Sequence, residues 1–296
     1  MFNELLLNEV KNKVLSKLTS SGQYDTEIFG MQFFRESEPN KINRCFHTPF
    51  IILMLNGEKH SIFGSEEFIY GAGKYVIASV DYPVSSFVTN ISEENPYVSI
   101  LLPVNNKIVF DIISKNEAVT DKIKCFCGIS VADVTDNILN AFSRLIDLVD
   151  NYDDINMLAP MIVKEIHYWV LKGPVGGSLK AINKYGSKSG RIMQAIQYLK
   201  AHYTESIKID DLASMVNMAP STFNRYFRAV TTLSPLQYQK HLRLYEAQRL
   251  MLMEDYNATT ACFQVGYSSQ HQFNREYKKV FGEPPYNNVK KIMSAV

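Results

Sequence analysis

Two stretches late in the chain carry the side chains best suited to chemistry with a polyanion: Ser221-Thr-Phe-Asn-Arg-Tyr-Phe-Arg-Ala-Val230 and Gln270-His-Gln-Phe-Asn-Arg-Glu-Tyr-Lys-Lys-Val-Phe281. On a helical period, Phe223, Phe227 and Val230 of the first stretch share one face and must turn inward. Phe273, Tyr277, Val280 and Phe281 do the same in the second. Outside remain Ser221, Thr222, Asn224, Arg225 and Arg228 on one helix, and Gln270, His271, Gln272, Asn274, Arg275, Lys278 and Lys279 on the other. Amides, hydroxyls and guanidiniums hydrogen-bond to base edges, and cations hold phosphates. One such helix is more often a solvated face. Two at matched positions point to a nucleic acid, with His271 carrying the least weight.

Residues for covalent or metal chemistry are sparse. The segment rich in strand signals contains only His47 and His60, with no His-x-His followed by Glu to make a ligand set, so no metal and no cofactor are expected. Cys45, Cys125, Cys127 and Cys262 form no CxxC pair and read as reduced, mostly buried thiols. Cys125-Phe-Cys127 offers two soft ligands at awkward spacing, and Ser, His and Asp occur without a nucleophile-elbow pattern. The chain is not expected to be an enzyme.

The elements that position the two polar faces belong to a chain of 296 residues, 46% hydrophobic, a composition that excludes disorder for most of it. That length suggests two domains. The net charge of +1 hides an asymmetry. Residues 188–296 hold 14 Lys and Arg against 8 Asp and Glu, a net of +6, while residues 1–187 carry a net of −5. No apolar run is long enough for a membrane span, and the N-terminal segment is interrupted too early for a signal peptide, so a cytosolic (cytoplasmic) protein is expected.

Residues 1–18 read as an amphipathic helix through Leu5, Leu6, Glu9, Lys13 and Leu18. From Phe46 to Val104, short runs rich in Ile, Val, Phe and Tyr alternate with Gly, Pro, Asn and Asp, predicting at least six strands of a small antiparallel barrel or two-sheet jelly roll. Phe50–Leu55 and Glu58–Phe63, separated by Asn56-Gly57, read as a tight hairpin. Stripes through Val134, Ile138, Phe142, Leu145, Ile146 and Val149, and through Ile155, Ala159, Ile162, Ile166 and Val170, predict two antiparallel helices. The first is most simply core, with a dimer seam as its second role. Glycine and serine crowd residues 176–190, where a linker is expected between a domain of residues 1–175 and another of 191–296.

The second domain reads as all helical. Ile192, Ile196 and Leu199 mark a core helix, and Asp210 or Asp211 can cap the next. Asn217-Met-Ala219 breaks it, and Pro220 opens the helix bearing Ser221 to Arg228, which makes a helix-turn-helix. Residues 258–264, a turn through Gly266 and the helix bearing Gln270 to Lys279 repeat the plan. Between the units, Ser234 and Pro235 start a helix running to Met253, about 27 Å at 1.5 Å per residue. A B-DNA turn is about 34 Å, so this rod could present the two helices to successive major grooves.

Ala219-Pro-Ser-Thr-Phe-Asn-Arg-Tyr-Phe-Arg228, Leu233-Ser-Pro-Leu-Gln-Tyr238 with Ala247-Gln-Arg-Leu250, and Val265-Gly-Tyr-Ser-Ser269 with Gln272-Phe-Asn-Arg-Glu-Tyr-Lys-Lys-Val-Phe-Gly282 resemble the DNA-binding domain of AraC/XylS-type bacterial transcription regulators. Residues 20–175, through Pro49-Phe-Ile-Ile-Leu-Met-Leu-Asn-Gly-Glu-Lys59 and Gly73-Lys-Tyr-Val-Ile-Ala-Ser-Val-Asp-Tyr-Pro-Val84, are similar to the cupin-like N-terminal domain of one branch of that family. The resemblance implies an α+β chain: a cupin-like effector-binding and dimerisation domain followed by two helix-turn-helix units. By position it implies DNA contact by Ser221, Asn224, Arg225, Gln270, His271, Gln272, Asn274 and Arg275. Partners to look for are double-stranded DNA, a small-molecule effector, RNA polymerase and a second copy of the chain. The sequence departs from the family pattern at Cys262, where a small Ala is usual, and at Thr231-Thr-Leu233, where Thr-Gly is common. The competing reading is a metal-dependent cupin enzyme with a helical targeting domain, which needs a metal on His47 or His60.

Overall fold

Phe50-Ile-Ile-Leu-Met-Leu55 is apolar at both parities, so neither of its faces can meet water. The computed structural model describes residues 3–39, 42–63, 66–115, 128–184 and 186–294, and places this run in the middle of a sheet. That sheet joins β1 (Gly22–Asp25), β2 (Gln32–Glu36), β9 (Tyr97–Pro103), β4 (Phe50–Asn56), β7 (Lys74–Ala78) and β10 (Ile129–Asp133) in this spatial order. A second sheet has the order β3 (Asn43–His47), β8 (Tyr82–Thr89), β5 (Glu58–Phe63) and β6 (Glu66–Gly71). The pairings from β1 to β10 across the first sheet, and of β5 with β6 and β8 in the second, are antiparallel. The chain divides into two compact units, residues 1–43 with 47–190, and residues 44–46 with 191–296.

The expected hairpin of β4 and β5 does not form. The two strands pair in different sheets, and Gly57, at φ +78°, turns the corner between them. The Asn-Gly pair correctly announced a positive φ, but β4 is a central strand whose two hydrogen-bonding edges are taken by β9 and β7, which leaves neither for β5. A Cβ at 57 would stand 3.0 Å from the Tyr97 Cα, a tight contact, and its positive φ is one that side chains rarely adopt, so glycine suits the corner.

Helices share one apolar core with the large sheet, through Ile51, Leu53, Ile77, Val98 and Ile100 of its strands. α1 (Glu4–Leu15) is capped by Asn3 and turns Leu7, Val10 and Val14 inward, while Leu5 points to solvent, against the stripe expected from the sequence. Lys13 reaches Asp147 (2.8 Å) and Ser143 (2.9 Å) on α3 (Asp136–Asp147), tying the two helices. α3 is core, as its stripe predicts: Ile138, Leu139, Phe142, Leu145 and Ile146 are buried. α4 (Tyr152–Lys172) packs on it through Ile155, Ala159, Ile162, Ile166 and Val170. Buried His167 joins α4 to the start of α2 (Asn106–Lys115), its Nε2 accepting from the Asn105 N–H (3.0 Å) while Nδ1 donates to the Val163 carbonyl (2.7 Å).

The segment expected as a linker contains α5 (Gly177–Asn183), whose Leu179, Ala181 and Ile182 are buried. Leu179 and Ile182, one helical turn apart, outweigh the glycine content there. Cys125 and Cys127 lie outside the described residues. Cys45 is half-buried and Cys262 buried, both as free thiols.

Candidate nucleic-acid interface

The second unit contains α6 (Lys188–Ala201), α7 (Ile209–Met215), α8 (Pro220–Thr231), α9 (Pro235–Met253), α10 (Ala258–Gln264), α11 (Gln270–Phe281) and α12 (Pro285–Met293). α7 with α8, and α10 with α11, are the two helix-turn-helix units. In the first, Phe223, Phe227 and Val230 are buried beside Leu212, Ala213 and Val216, and the Phe227 ring meets the Tyr238 edge at 5.6 Å. In the second, Phe273, Tyr277 and Phe281 pack with Leu244, Ala247 and Leu250 of α9, while Val280 is only half-buried. α7 begins behind Lys208 with no side-chain cap, so Asp210 and Asp211 occupy its first turn rather than the cap expected for one of them.

The turns are built alike. Asn217 (φ +53°) and Gly266 (φ +86°) supply the left-handed residue. The following N–H groups return to the helices behind them, Met218 to the Ala213 carbonyl (2.9 Å) and Tyr267 to that of Cys262 (3.1 Å). Cys262 therefore sits where the first unit has Ala213, buried in the second unit's core. Each outward-facing helix also ends in a left-handed residue, Thr232 (φ +61°) and Gly282 (φ +84°), whose N–H groups return 2.8 Å bonds to Arg228 and Lys278. Between the matching caps, Asn224-Arg225 and Asn274-Arg275 occupy the same helical positions.

α9 holds both units. The side chain of Ser234 and that of Gln237 form a capping box, with Pro235 at the first position. Gln239 and Arg243, one turn apart, reach the loop between α6 and α7. Gln239 donates to the carbonyls of Tyr203 (3.0 Å) and Glu205 (2.7 Å), and Arg243 to the same two (2.6 and 2.9 Å) and to that of Gly266 (3.0 Å). One guanidinium thus fixes the α6–α7 loop and the turn of the second unit. Glu276 fixes the roll of α11: it accepts from Lys240 (2.8 Å), Tyr267 (2.8 Å) and Gln272 (3.2 Å). Burial pushes its carboxyl upward, but these donors outweigh it and hold the group below the ordinary carboxylate value. Gln239, Arg243 and Glu276 are not among the residues expected from the sequence. The i, i+4 spacing of Gln239 and Arg243, and a lone acid on α11, were their visible signals.

Ser221, Arg225, Arg228, Gln270, His271, Gln272, Asn274, Arg275, Lys278 and Lys279 are exposed, and Thr222 and Asn224 half-buried. Some are engaged at home. The Asn224 amide donates to the Pro220 carbonyl (3.1 Å), Gln270 to the Thr259 hydroxyl (2.7 Å), and the Arg225 guanidinium lies 5.3 Å from the Tyr226 ring centre. Lys240, Arg249 and Lys291 each pair with a carboxylate. Arg225, Arg228, Arg275, Lys278 and Lys279 pair with none among the described residues. The cations that α8 and α11 present are therefore available to an outside anion.

In the β unit, His60 lies 2.9 Å from Glu67 and stacks on Phe87, and burial pushes His47 down to about 4. Among the described residues no three metal-binding side chains gather in one place.

Residues 27–178 match the family described as AraC-type transcriptional regulator N-terminus, and residues 212–290 match that described as helix-turn-helix domain. The chain belongs to the AraC-type transcriptional regulators. The activator RhaS of Pectobacterium carotovorum is 27% identical over 100 residues, 34% of this chain and 36% of that protein. The regulator ExsA of Pseudomonas aeruginosa is 27% identical over 130 residues, 44% and 46% of the two chains. The matches thus span less than half the length of these relatives. Two crystal structures of ToxT from Vibrio cholerae share the fold: the form bound to an unsaturated fatty acid (TM-score 0.58, 10% identity, 92% of this chain and 96% of that one) and a second form (0.59, 12%, 88% and 97%). No helix among the described residues is long and apolar enough to cross a membrane.

Proposed function

We propose that the chain reads double-stranded DNA by sequence with the outward faces of α8 and α11, which α9 sets into successive major grooves. The observation that carries this reading is the set of exposed cations on those two helices that have no carboxylate partner among the described residues, in a unit that pairs others of its cations. Arg225 and Arg275, each preceded by an Asn at the same helical position, read bases with Asn224, Asn274, Gln270 and Gln272. Ser221, Thr222 and His271 line the helix starts, and Arg228, Lys278 and Lys279 hold phosphates. At about 28 Å, nineteen residues of α9 are close to one duplex turn of about 34 Å.

In this reading the β unit shifts DNA binding through a small effector, through self-association, or through both, as the family relationship suggests. RNA polymerase is the partner that a regulator of this type would engage. For self-association, α4 offers an apolar solvent face, with Met157 69% and Met161 64% exposed one turn apart and Leu158 beside them.

Selection of bound duplexes from a random library tests the proposal. A two-part motif spaced by about one turn is the expected result, and recovery without sequence preference refutes it. Arg225→Ala should cost about 1–3 kcal/mol and relax one base position, whereas Lys278→Ala should weaken cognate and random duplexes alike and lower the salt slope by about one. Identical behaviour of the two variants overturns the division of roles.

A further inference from the structure

A cleft of about 620 Å³ in the second unit uses no residue of α8 or α11. Its walls are apolar: Met251 near the end of α9, Tyr256 and Ala258 at the entry to α10, and Tyr286, Val289 and Met293 along α12. The volume lies within the roughly 300–1,000 Å³ of small-molecule sites, whose linings are likewise mainly apolar and aromatic. From Tyr286 to Met293 the wall is about 10 Å long, the length of one to two rings with a substituent. Lys290 is the single charged side chain lining it. It has no carboxylate partner among the described residues, whereas the neighbouring Lys291 is taken by Glu283 (2.6 Å). The Asn257 side chain is already committed to capping α10. The cleft therefore offers an apolar bed and one unsatisfied cation.

We propose that this cleft binds a small apolar monoanion, free in solution, with its ring body against Tyr286, Val289 and Met293 and its acid group on Lys290. Such a site acts on the second helix-turn-helix unit. Met251 and Val289 pack with the core that holds Phe273, Tyr277 and Phe281 of α11. Asn288, beside Val289, accepts from Gln248 on α9 (2.7 Å) and from the Tyr277 phenol (2.9 Å). An occupant fixes α12, and α12 in turn fixes α11.

The full chain is titrated with anilinonaphthalene sulfonate, an apolar two-ring monoanion, and with uncharged phenylnaphthylamine, while NMR follows methyl-labelled methionines. Met251 and Met293 are assigned by substitution to leucine. The expected result is a saturable shift of both methyl groups with Met215 of α7 unmoved, and an affinity weakened about tenfold by Lys290→Glu and by loss of the probe's charge. Still signals at Met251 and Met293 with probe bound, or an affinity unchanged in Lys290→Glu, overturn the proposal. Lys290 is exposed and has no carboxylate partner among the described residues, so an unaltered melting curve for the variant separates loss of the site from loss of the fold. No DNA is present, so the result is independent of how α8 and α11 read a duplex.

Discussion

Gly266 has no room for a side chain. Its φ of +86° lies in the left-handed region, and a Cβ there would stand 2.3 Å from the Thr204 carbonyl oxygen and 2.9 Å from the Thr204 Cα. Two costs follow for Gly266→Ala. A non-glycine residue in that conformation costs about 1–2 kcal/mol. The obstacle is backbone, so the α6–α7 loop must move, and such overpacking costs about 1–3 kcal/mol. That loop is the one Arg243 and Gln239 hold through the Tyr203 and Glu205 carbonyls. Reduced freedom of the unfolded chain returns about 0.4–1 kcal/mol, leaving a loss of about 1–4.6 kcal/mol with a middle value of about 3, a large share of the 5–15 kcal/mol of a typical domain. Asn217→Ala, at the equivalent place in the first turn, meets only the conformational cost and should lose about 1 kcal/mol. Hydrogen exchange in the full chain, of α10 and α11 for Gly266→Ala and of α7 and α8 for Asn217→Ala, reads the two variants, with the β sheets as internal reference. If Gly266→Ala exchanges like the parent, or Asn217→Ala loses as much, the packing argument is wrong.

Thr232→Gly should stabilise the second unit by about 0.5–1 kcal/mol, because a β-branched residue now holds the left-handed cap of α8 that Gly282 holds for α11. A higher denaturant midpoint with unchanged slope is the readout. Burial holds His47 (about 4) and His167 below the ordinary imidazole value. Stability from these residues is therefore fully present above pH of about 6.5 and lost as pH falls toward 4, by up to about 3 kcal/mol for His47. Urea midpoints across that range check the sign, and His167→Gln should flatten the slope.

The two polar faces were legible because their determinants are local: apolar residues at i, i+4 and i+7, a Pro at the first helical position, and Ser234 before α9. The β4–β5 corner was not, since Asn56-Gly57 specifies a backbone angle and leaves open which sheet the next strand joins. α5 was hidden by glycines at its start, although Leu179 and Ile182 kept a helical spacing. β1 and β10 are edge strands of four and five residues with weak alternation, and β2, β3, α2 and α12 also went unanticipated. Arg243 escaped for another reason. Its acceptors are carbonyls of residues 203, 205 and 266, and a carbonyl leaves no mark on residue type.

The matched Asn-Arg pairs of α8 and α11 sit on helices anchored differently, and that difference makes a prediction. α11 is tied through Glu276 to Lys240, Tyr267 and Gln272, and Gln270 is tied to Thr259. Among the described residues, the first unit's Ser221 and Arg228 carry no such ties. Glu276 therefore trades a little attraction for order, since its negative charge lies on a helix whose neighbouring cations, Lys278 and Lys279, would meet phosphates. Glu276→Gln removes that charge and weakens the bond from Lys240. Binding to random duplex should tighten, most visibly at low salt. Binding to the selected site should tighten less or weaken, because a looser α11 places Arg275 and Asn274 less well. The ratio of the two affinities should fall about tenfold, within the roughly 1–3 kcal/mol carried by one good base contact. Equal changes on both duplexes would mean that Glu276 acts by charge alone and that the roll of α11 has no part in reading sequence.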